Sequence, residues 1–113
     1  MSGYRWLLER GLVNFDAFGP LQPWHYLRLD EQFDVTAHWH RLYKGDRLIA
    51  FARRQDCDDL ACFRVEGDHA SAVCVVHTWV PEGYEVLAEY ITFWDWLKAV
   101  VNDIRDWAEI SVE

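Results

Sequence analysis

The middle of the chain carries three apolar runs separated by short polar segments, which is the pattern of successive β-strands. The three runs are Leu48 to Arg53, Leu60 to Val65 and Ala72 to Val80. Asp56 to Asp59 and Gly67-Asp68 provide residues that favour tight turns, and Pro81 and Gly83 end the third run. Because the connections are short, we expect the strands to pair as an antiparallel meander.

The last part of the chain has the apolar spacing of a long amphipathic helix. Thr92 is a plausible N-cap, and Asp95 in the first turn would interact favourably with the positive end of the helix dipole. The apolar stripe comprises Phe93, Leu97, Val100, Val101, Ile104, Trp107 and Ala108. The opposite face comprises Asp95, Lys98, Asn102, Asp106 and Glu109. We expect this helix to lie across the sheet and close the core.

The first 43 residues give weaker patterns. Tyr4 to Val13 reads as a short helix, with Gly11 suited to its C-terminal end, and Gly19 to Pro23 reads as a loop. Trp24 to Leu29 alternates enough to form an extended edge segment, and Asp34 to Tyr43 reads as a short helix capped by Asp34 or Thr36. Residues 1–113 are therefore predicted to form one α+β domain, with a central antiparallel sheet flanked by N-terminal and C-terminal helices.

Charge narrows the classes of partner. The formal net charge is −8, and the segment from Glu82 to Glu113 holds eight acidic and two basic residues. Such a chain repels phosphate backbones and anionic membrane surfaces, and it favours a basic protein as partner. We see no signal peptide and no apolar stretch long enough to span a bilayer, and the three cysteines form no CxxC pair. We therefore expect a cytoplasmic protein with free thiols.

Metal chemistry finds little support in the sequence. His38 and His40 would share a face on a strand and could hold a metal, but they point apart on the helix that we favour. The Asp56 to Asp59 segment resembles the start of a calcium loop. However, Ala61 and Gly67 occupy the positions where an EF-hand needs Gly and Glu. We therefore expect no metal and no cofactor.

The sequence gives equally little support for nucleophilic or acid–base catalysis. Cys62 and Cys74 lie within predicted strands, where cysteine behaves as a small apolar residue. A pairing of a cysteine with His69 or His77 remains open. Glu82, Glu85 and Glu89 fit either a carboxylate cluster or surface charge. We expect a protein that is not an enzyme.

Two consecutive strands resemble the central motif of the SUKH superfamily, namely Leu48–Arg53 (LIAFAR) and Asp58–Phe63 (DDLACF). This superfamily includes yeast cell-wall-assembly regulators and bacterial toxin-immunity proteins. Thr92–Leu97 (TFWDWL) is similar to its aromatic-led closing helix, and Trp24–Leu27 (WHYL) is similar to an upstream segment of one bacterial branch. Ala50 stands where many members have Pro. The resemblance implies an α+β fold and a non-enzymatic protein that binds and neutralises a cognate toxin in the cytoplasm.

Charge and resemblance together predict a contact surface for a basic, nuclease-type toxin. The predicted contact residues are Trp24, Asp56, Asp58, Asp59, Trp79, Glu82, Glu85, Asp95, Asp106 and Glu109. In this prediction Trp24 and Trp79 are exposed aromatics, and Asp56 to Asp59 form a second acidic edge. Two alternatives remain open: a regulatory scaffold that binds several cellular proteins, and a small metal-dependent hydrolase that uses His38 and His40.

Overall fold

A computed structural model of the chain describes residues 1–16, 19–38, 47–78 and 84–112. The helices are α1 (Ser2–Glu9), α2 (Val35–His38) and α3 (Phe93–Val112). The strands are β1 (Trp24–Tyr26), β2 (Phe33–Asp34), β3 (Arg47–Arg54), β4 (Asp59–Glu66), β5 (His69–His77) and β6 (Glu85–Tyr90). A short 3₁₀ helix, Leu29–Glu31, lies between β1 and β2.

In the described part of the chain, the six strands form one antiparallel sheet. The strand order is β1-β3-β4-β5-β6, and β2 also pairs with β3. Strands β3 to β6 are neighbours both in sequence and in space, so the predicted meander is present. The predicted α+β class, with N-terminal and C-terminal helices around an antiparallel sheet, is confirmed.

One face of the sheet is covered by α1 and α3 through an aromatic core. Phe51 and Phe63 stack with their ring centroids 4.0 Å apart. Trp96 of α3 meets Phe51 edge-on at 5.0 Å, and Tyr4 of α1 meets Phe63 edge-on at 5.2 Å. Each such pair contributes roughly 0.5–1.5 kcal/mol beyond the apolar area that it buries. The two terminal helices are thus attached to the centre of the sheet.

The other face of the sheet carries smaller side chains. Its buried residues are Leu27, Val35, Leu48, Ala50, Leu60, Cys62, Cys74, Val76 and Tyr84. Cys62 and Cys74 lie directly opposite each other on β4 and β5, and both are fully buried. The expectation that these two cysteines serve as small apolar core residues is confirmed.

A β-bulge in β3 sets the direction of the residues that follow it. Ala50 is paired with Cys62 and Ala52 with Ala61, so Phe51 is an extra residue on its strand. An extra residue inverts the alternation of side chains beyond it, because the side-chain period of a strand is two. Ala50 therefore belongs to one face, whereas Phe51 and Ala52 belong to the aromatic core.

Several predicted element boundaries are wrong. Helix α1 ends at Glu9 instead of Val13, because the chain turns at Gly11, whose φ of +69° favours glycine. The extended segment predicted from Trp24 to Leu29 is a strand only as far as Tyr26. Strand β5 begins at His69, ahead of the predicted Ala72.

The predicted cap of α2 is confirmed, since Oδ1 of Asp34 accepts the backbone N–H of Thr36 at 2.9 Å.

Strand β6 is absent from the predicted elements, and the predicted apolar stripe of α3 is correct in part, since Phe93 and Val100 are buried and Leu97 and Ile104 pack against the core. β6 pairs with β5 from Glu85 to Tyr90, a segment in which only the two glutamates, as part of a carboxylate cluster, draw attention in the sequence. On α3 the side chain of Trp96 is almost fully buried, although the predicted stripe omits it. Val101, which that stripe includes, is 56% exposed.

Candidate functional site

Besides the exposed Lys98, the outer face of α3 carries an acidic stripe, defined here as Asp95, Asn102, Asp106 and Glu109. Spacings of seven, four and three residues place these side chains on one side of a helix, and all four are exposed. Among the described residues, Asp95 and Glu109 form no ion pair. Asp106 lies 3.6 Å from Nη2 of Arg105, its exposed neighbour, an arrangement that contributes little stability. The carboxylates of the stripe therefore remain available to a partner.

The start of α3 is fixed by the predicted cap. Oγ1 of Thr92 accepts the backbone N–H of Asp95 at 3.1 Å, which satisfies one of the free donors in the first helical turn. Asp95 is also the acidic residue of that turn, where the helix dipole stabilises negative charge. The cap and the dipole hold the first carboxylate of the stripe at a defined place.

Glu85 lies away from the acidic stripe. It begins β6 at the edge of the described sheet, is exposed, and pairs in register with His77. Glu82 and Trp79 lie outside the described residues, as does His40. The structure therefore does not join the predicted acidic residues into one surface. It places three of them on α3 and Glu85 on the edge strand.

The acidic turn between β3 and β4 does not form a single acidic edge, because its carboxylates have different surroundings. Asp56 accepts two hydrogen bonds from Arg54, at 2.6 and 3.1 Å, and this guanidinium lowers the pKa of the Asp56 carboxyl. Asp59 lies 2.9 Å from Nδ1 of His77. The side chain of Asp58 has neither an ion pair nor a hydrogen bond among the described residues. It is therefore the carboxylate of this turn that is open to a ligand.

The prediction that Trp24 is an exposed contact residue is wrong. Its side chain is 3% exposed and packs edge-on against Trp96 at 5.7 Å. Its indole Nε1–H is bonded to Asp103, so even its polar atom is satisfied within the protein. The exposed tryptophans in the described part are instead Trp6 and Trp94, whose rings meet edge-on at 6.4 Å.

Asp103, which is not among the predicted contact residues, contacts both Trp24 and Arg54. Its Oδ2 accepts the Trp24 indole N–H at 2.9 Å and lies 3.4 Å from Nη1 of Arg54. Hydrogen bonds from Arg54 to Asp56 and the nearby charge of Asp103 raise the pKa of the guanidinium. Each group in this network has its partners inside the protein. We therefore assign the network to the stability of the fold.

The pKa shifts of Cys57 and Cys62 do not favour a nucleophilic thiolate. Partial burial, together with the charges of Asp59 and Asp56, raises the pKa of Cys57. Burial also raises the pKa of Cys62. A nucleophilic cysteine needs the opposite shift, because the thiolate is the reactive form. Nδ1 of His77, a possible base for such a thiol, is engaged by Asp59.

Metal-binding groups do not converge in the described part of the chain: no three His, Cys, Asp or Glu side chains there are arranged to hold an ion. The hypothesis of a site at His38 and His40 concerns side chains outside the described part. None of the described helices combines the length and apolar character that crossing a bilayer requires.

A cavity of about 290 Å³ opens on the face of the sheet opposite α3. Its lining residues are Leu27, Glu31, Phe33, Arg53, Asp58, Leu60 and Thr78. Leu27 and Leu60 belong to the core of that face, and charged side chains of both signs are present around them. An apolar floor with a few polar groups is the usual composition of a small-ligand site.

In comparisons with known proteins, no family model, no curated protein and no solved structure matches the chain.

Proposed function

We propose that this chain is a non-enzymatic binding protein that uses the acidic stripe of α3 to bind a basic protein. The observation that carries the proposal is the position of the stripe. Its carboxylates are exposed on one side of a capped 20-residue helix, and neither Asp95 nor Glu109 has a cation partner in the described part. The inner side of the same helix is fixed to the sheet by Phe93, Trp96 and Val100. The surface is therefore rigid.

The charge of the chain favours a basic partner over other classes. A net charge of −8 on 113 residues attracts a cationic protein over long distances and accelerates its association at low salt. The same charge opposes contact with nucleic acid, whose phosphates would face the stripe. A helix that is already fixed to the sheet supports recognition of a folded cationic protein, because little backbone order has to be created on binding.

The specific role that we propose is immunity to a bacterial toxin. The resemblance of the β3–β4 segment to the SUKH superfamily supports this role, and so does the complementarity between an acidic helix and a basic nuclease-type toxin. In this role the protein binds the toxin inside the cell that produces both proteins, and it needs no catalytic residue of its own.

A pull-down with tagged protein from the cells that make it tests the proposal. The informative variant is Asp95→Asn/Asp106→Asn/Glu109→Gln, which removes the charge of the stripe. The matched control is Glu9→Gln/Asp30→Asn/Asp68→Asn, which removes the same charge from exposed positions outside α3. We expect the wild type and the control to retain one basic protein at low salt and to release it as salt rises.

The stripe variant should lose that protein. Equal retention by both triple variants, or no specific partner at low salt, would contradict the proposal. Recovery of many weakly bound proteins would favour a scaffold over an immunity protein. A recovered toxin should arrest growth when it is expressed alone, and co-expression of the wild-type chain should restore growth.

A further inference from the structure

The cavity opposite α3 has an apolar floor and a rim of charged and polar side chains. Leu27 and Leu60 are buried, and Phe33 packs partly buried beside them. A volume of about 290 Å³ is just below the lower limit of the roughly 300–1,000 Å³ range of small-molecule sites. The cavity is therefore suited to a compact ligand with an apolar body.

Among the described residues that line this cavity, Arg53 is the cation. Adjacent residues of a strand point to opposite faces, and the bulge at Phe51 determines which residue faces which side. Arg53 therefore faces the cavity beside its register partner Leu60, while Arg54 faces α3 and Asp103. Arg53 is exposed and forms neither an ion pair nor a side-chain hydrogen bond within the described residues. An exposed guanidinium of this kind binds a carboxylate through two parallel hydrogen bonds.

The residue beside Arg53 on β1 is His25, which is disfavoured as a second positive charge. His25 pairs with Arg53 in register, so the two side chains share a face of the sheet. Burial, and then the charge of Arg53, lower the pKa of His25, which disfavours a second positive charge.

Asp58 provides an opposite charge on the same rim. Oγ1 of Thr78 donates a hydrogen bond to the backbone carbonyl of Asp58 at 3.0 Å, which ties the turn to the end of β5. A second carboxylate among the described lining residues, that of Glu31, is already engaged. It accepts the backbone N–H of Arg28 at 3.1 Å, and its Oε1 lies 4.0 Å from Nε of the same residue.

We propose that this cavity binds a free α-amino acid with an apolar side chain. The carboxylate of the ligand pairs with Arg53, its ammonium group pairs with Asp58, and its side chain lies on Leu27, Leu60 and Phe33. The proposal is independent of the protein partner proposed above, because the cavity and the acidic stripe lie on opposite sides of the sheet. The net charge of the whole chain would not predict a ligand of this kind.

Titration of ¹⁵N-labelled protein with L-phenylalanine and L-leucine, followed by NMR, tests the proposal. We expect saturable shifts of amide signals around Arg53, Leu60 and Thr78 at millimolar ligand. Glycine, which lacks the apolar side chain, should cause much smaller shifts. N-acetyl-L-phenylalanine lacks the ammonium group and L-phenylalaninamide lacks the carboxylate, so each should bind about tenfold more weakly or not at all.

Variants locate the site. Arg53→Gln and Asp58→Asn should each weaken binding of L-phenylalanine by about tenfold, since each removes one charged partner. Arg5→Gln, an exposed arginine on α1, should leave the affinity unchanged. The amide spectrum of each variant shows directly whether it is folded. No shift with any amino acid, unchanged binding by Arg53→Gln and Asp58→Asn, or equal binding of the acetylated ligand would overturn the proposal.

Discussion

The indole Nε1–H of Trp24 donates a hydrogen bond to Oδ2 of Asp103, 2.9 Å away, and so joins the first strand to the last helix across 79 positions of sequence. Arg54, the register partner of Trp24 on β3, lies 3.4 Å from the same oxygen. One carboxylate of α3 thus serves two strands. Together with the buried Phe93, Trp96 and Val100, this contact sets the rotation of the helix about its own axis, and therefore the side on which the acidic stripe is exposed.

Replacement of Asp103 by alanine should destabilise the protein by about 1–3 kcal/mol, because it leaves a partly buried indole N–H without an acceptor. The matched control is Asp106→Ala, which removes the same side chain three residues later on the exposed side of α3. It should change the free energy of unfolding by less than about 0.5 kcal/mol. Urea denaturation of both variants measures the difference. Equal losses would mean that the Asp103 contact contributes nothing specific.

Replacement of Gly3 by alanine tests the close approach of α1 to α3. A Cβ atom at Gly3 would lie 2.9 Å from atoms of Phe93 and Trp94, and Phe93 is almost fully buried, so it cannot easily move. We expect a net loss of about 1–2 kcal/mol, although alanine is the better helix former by roughly 1 kcal/mol. The control is Ser2→Ala at the exposed neighbouring position. A gain of stability for Gly3→Ala would show that the helices are not in this close contact.

The thiol of Cys57 should react slowly with iodoacetamide near neutral pH. Burial first, and then the charges of Asp59 and Asp56, raise its pKa, so the reactive thiolate forms only at higher pH than in an unfolded chain. Asp59→Asn should increase the rate at a given pH, whereas Asp68→Asn, at an exposed turn, should not. Mass spectrometry identifies the modified residue. A Cys57 that reacts faster in the folded protein than in urea would contradict this account and reopen the possibility of a nucleophilic site.

The strands of the meander could be predicted because each apolar run of the central region ends at a turn with residues of clear preference. β6 could not, because an edge strand with exposed Val86 and Leu87 and a register irregularity lacks the alternation that identifies a strand. The buried position of Trp96 was missed for a related reason. Several apolar residues of α3 fit a helical stripe equally well, and only contacts with Phe51 and Trp24 select among them.

The sites were harder to predict than the fold, because they depend on contacts between distant segments. Trp24 was predicted to be exposed, since nothing near it in sequence reveals a partner on α3. Arg53 and Arg54 are adjacent and chemically identical, and in a strand they point to opposite faces. The bulge at Phe51 determines that Arg53 faces the cavity and Arg54 faces Asp103. The acidic stripe was predictable, because helical spacing alone places Asp95, Asp106 and Glu109 on one side.

The most direct test of the central claim is photo-crosslinking in the cells that make the protein. A photoreactive residue at Asn102 lies in the middle of the acidic stripe, and the same residue at Asp68 serves as the control on an exposed turn. We expect one covalent adduct, with a single basic protein, from position 102 and none from position 68. The adduct should disappear when Asp95, Asp106 and Glu109 are neutralised. Absence of an adduct at position 102, equal adducts at both positions, or an adduct that survives neutralisation would contradict the account.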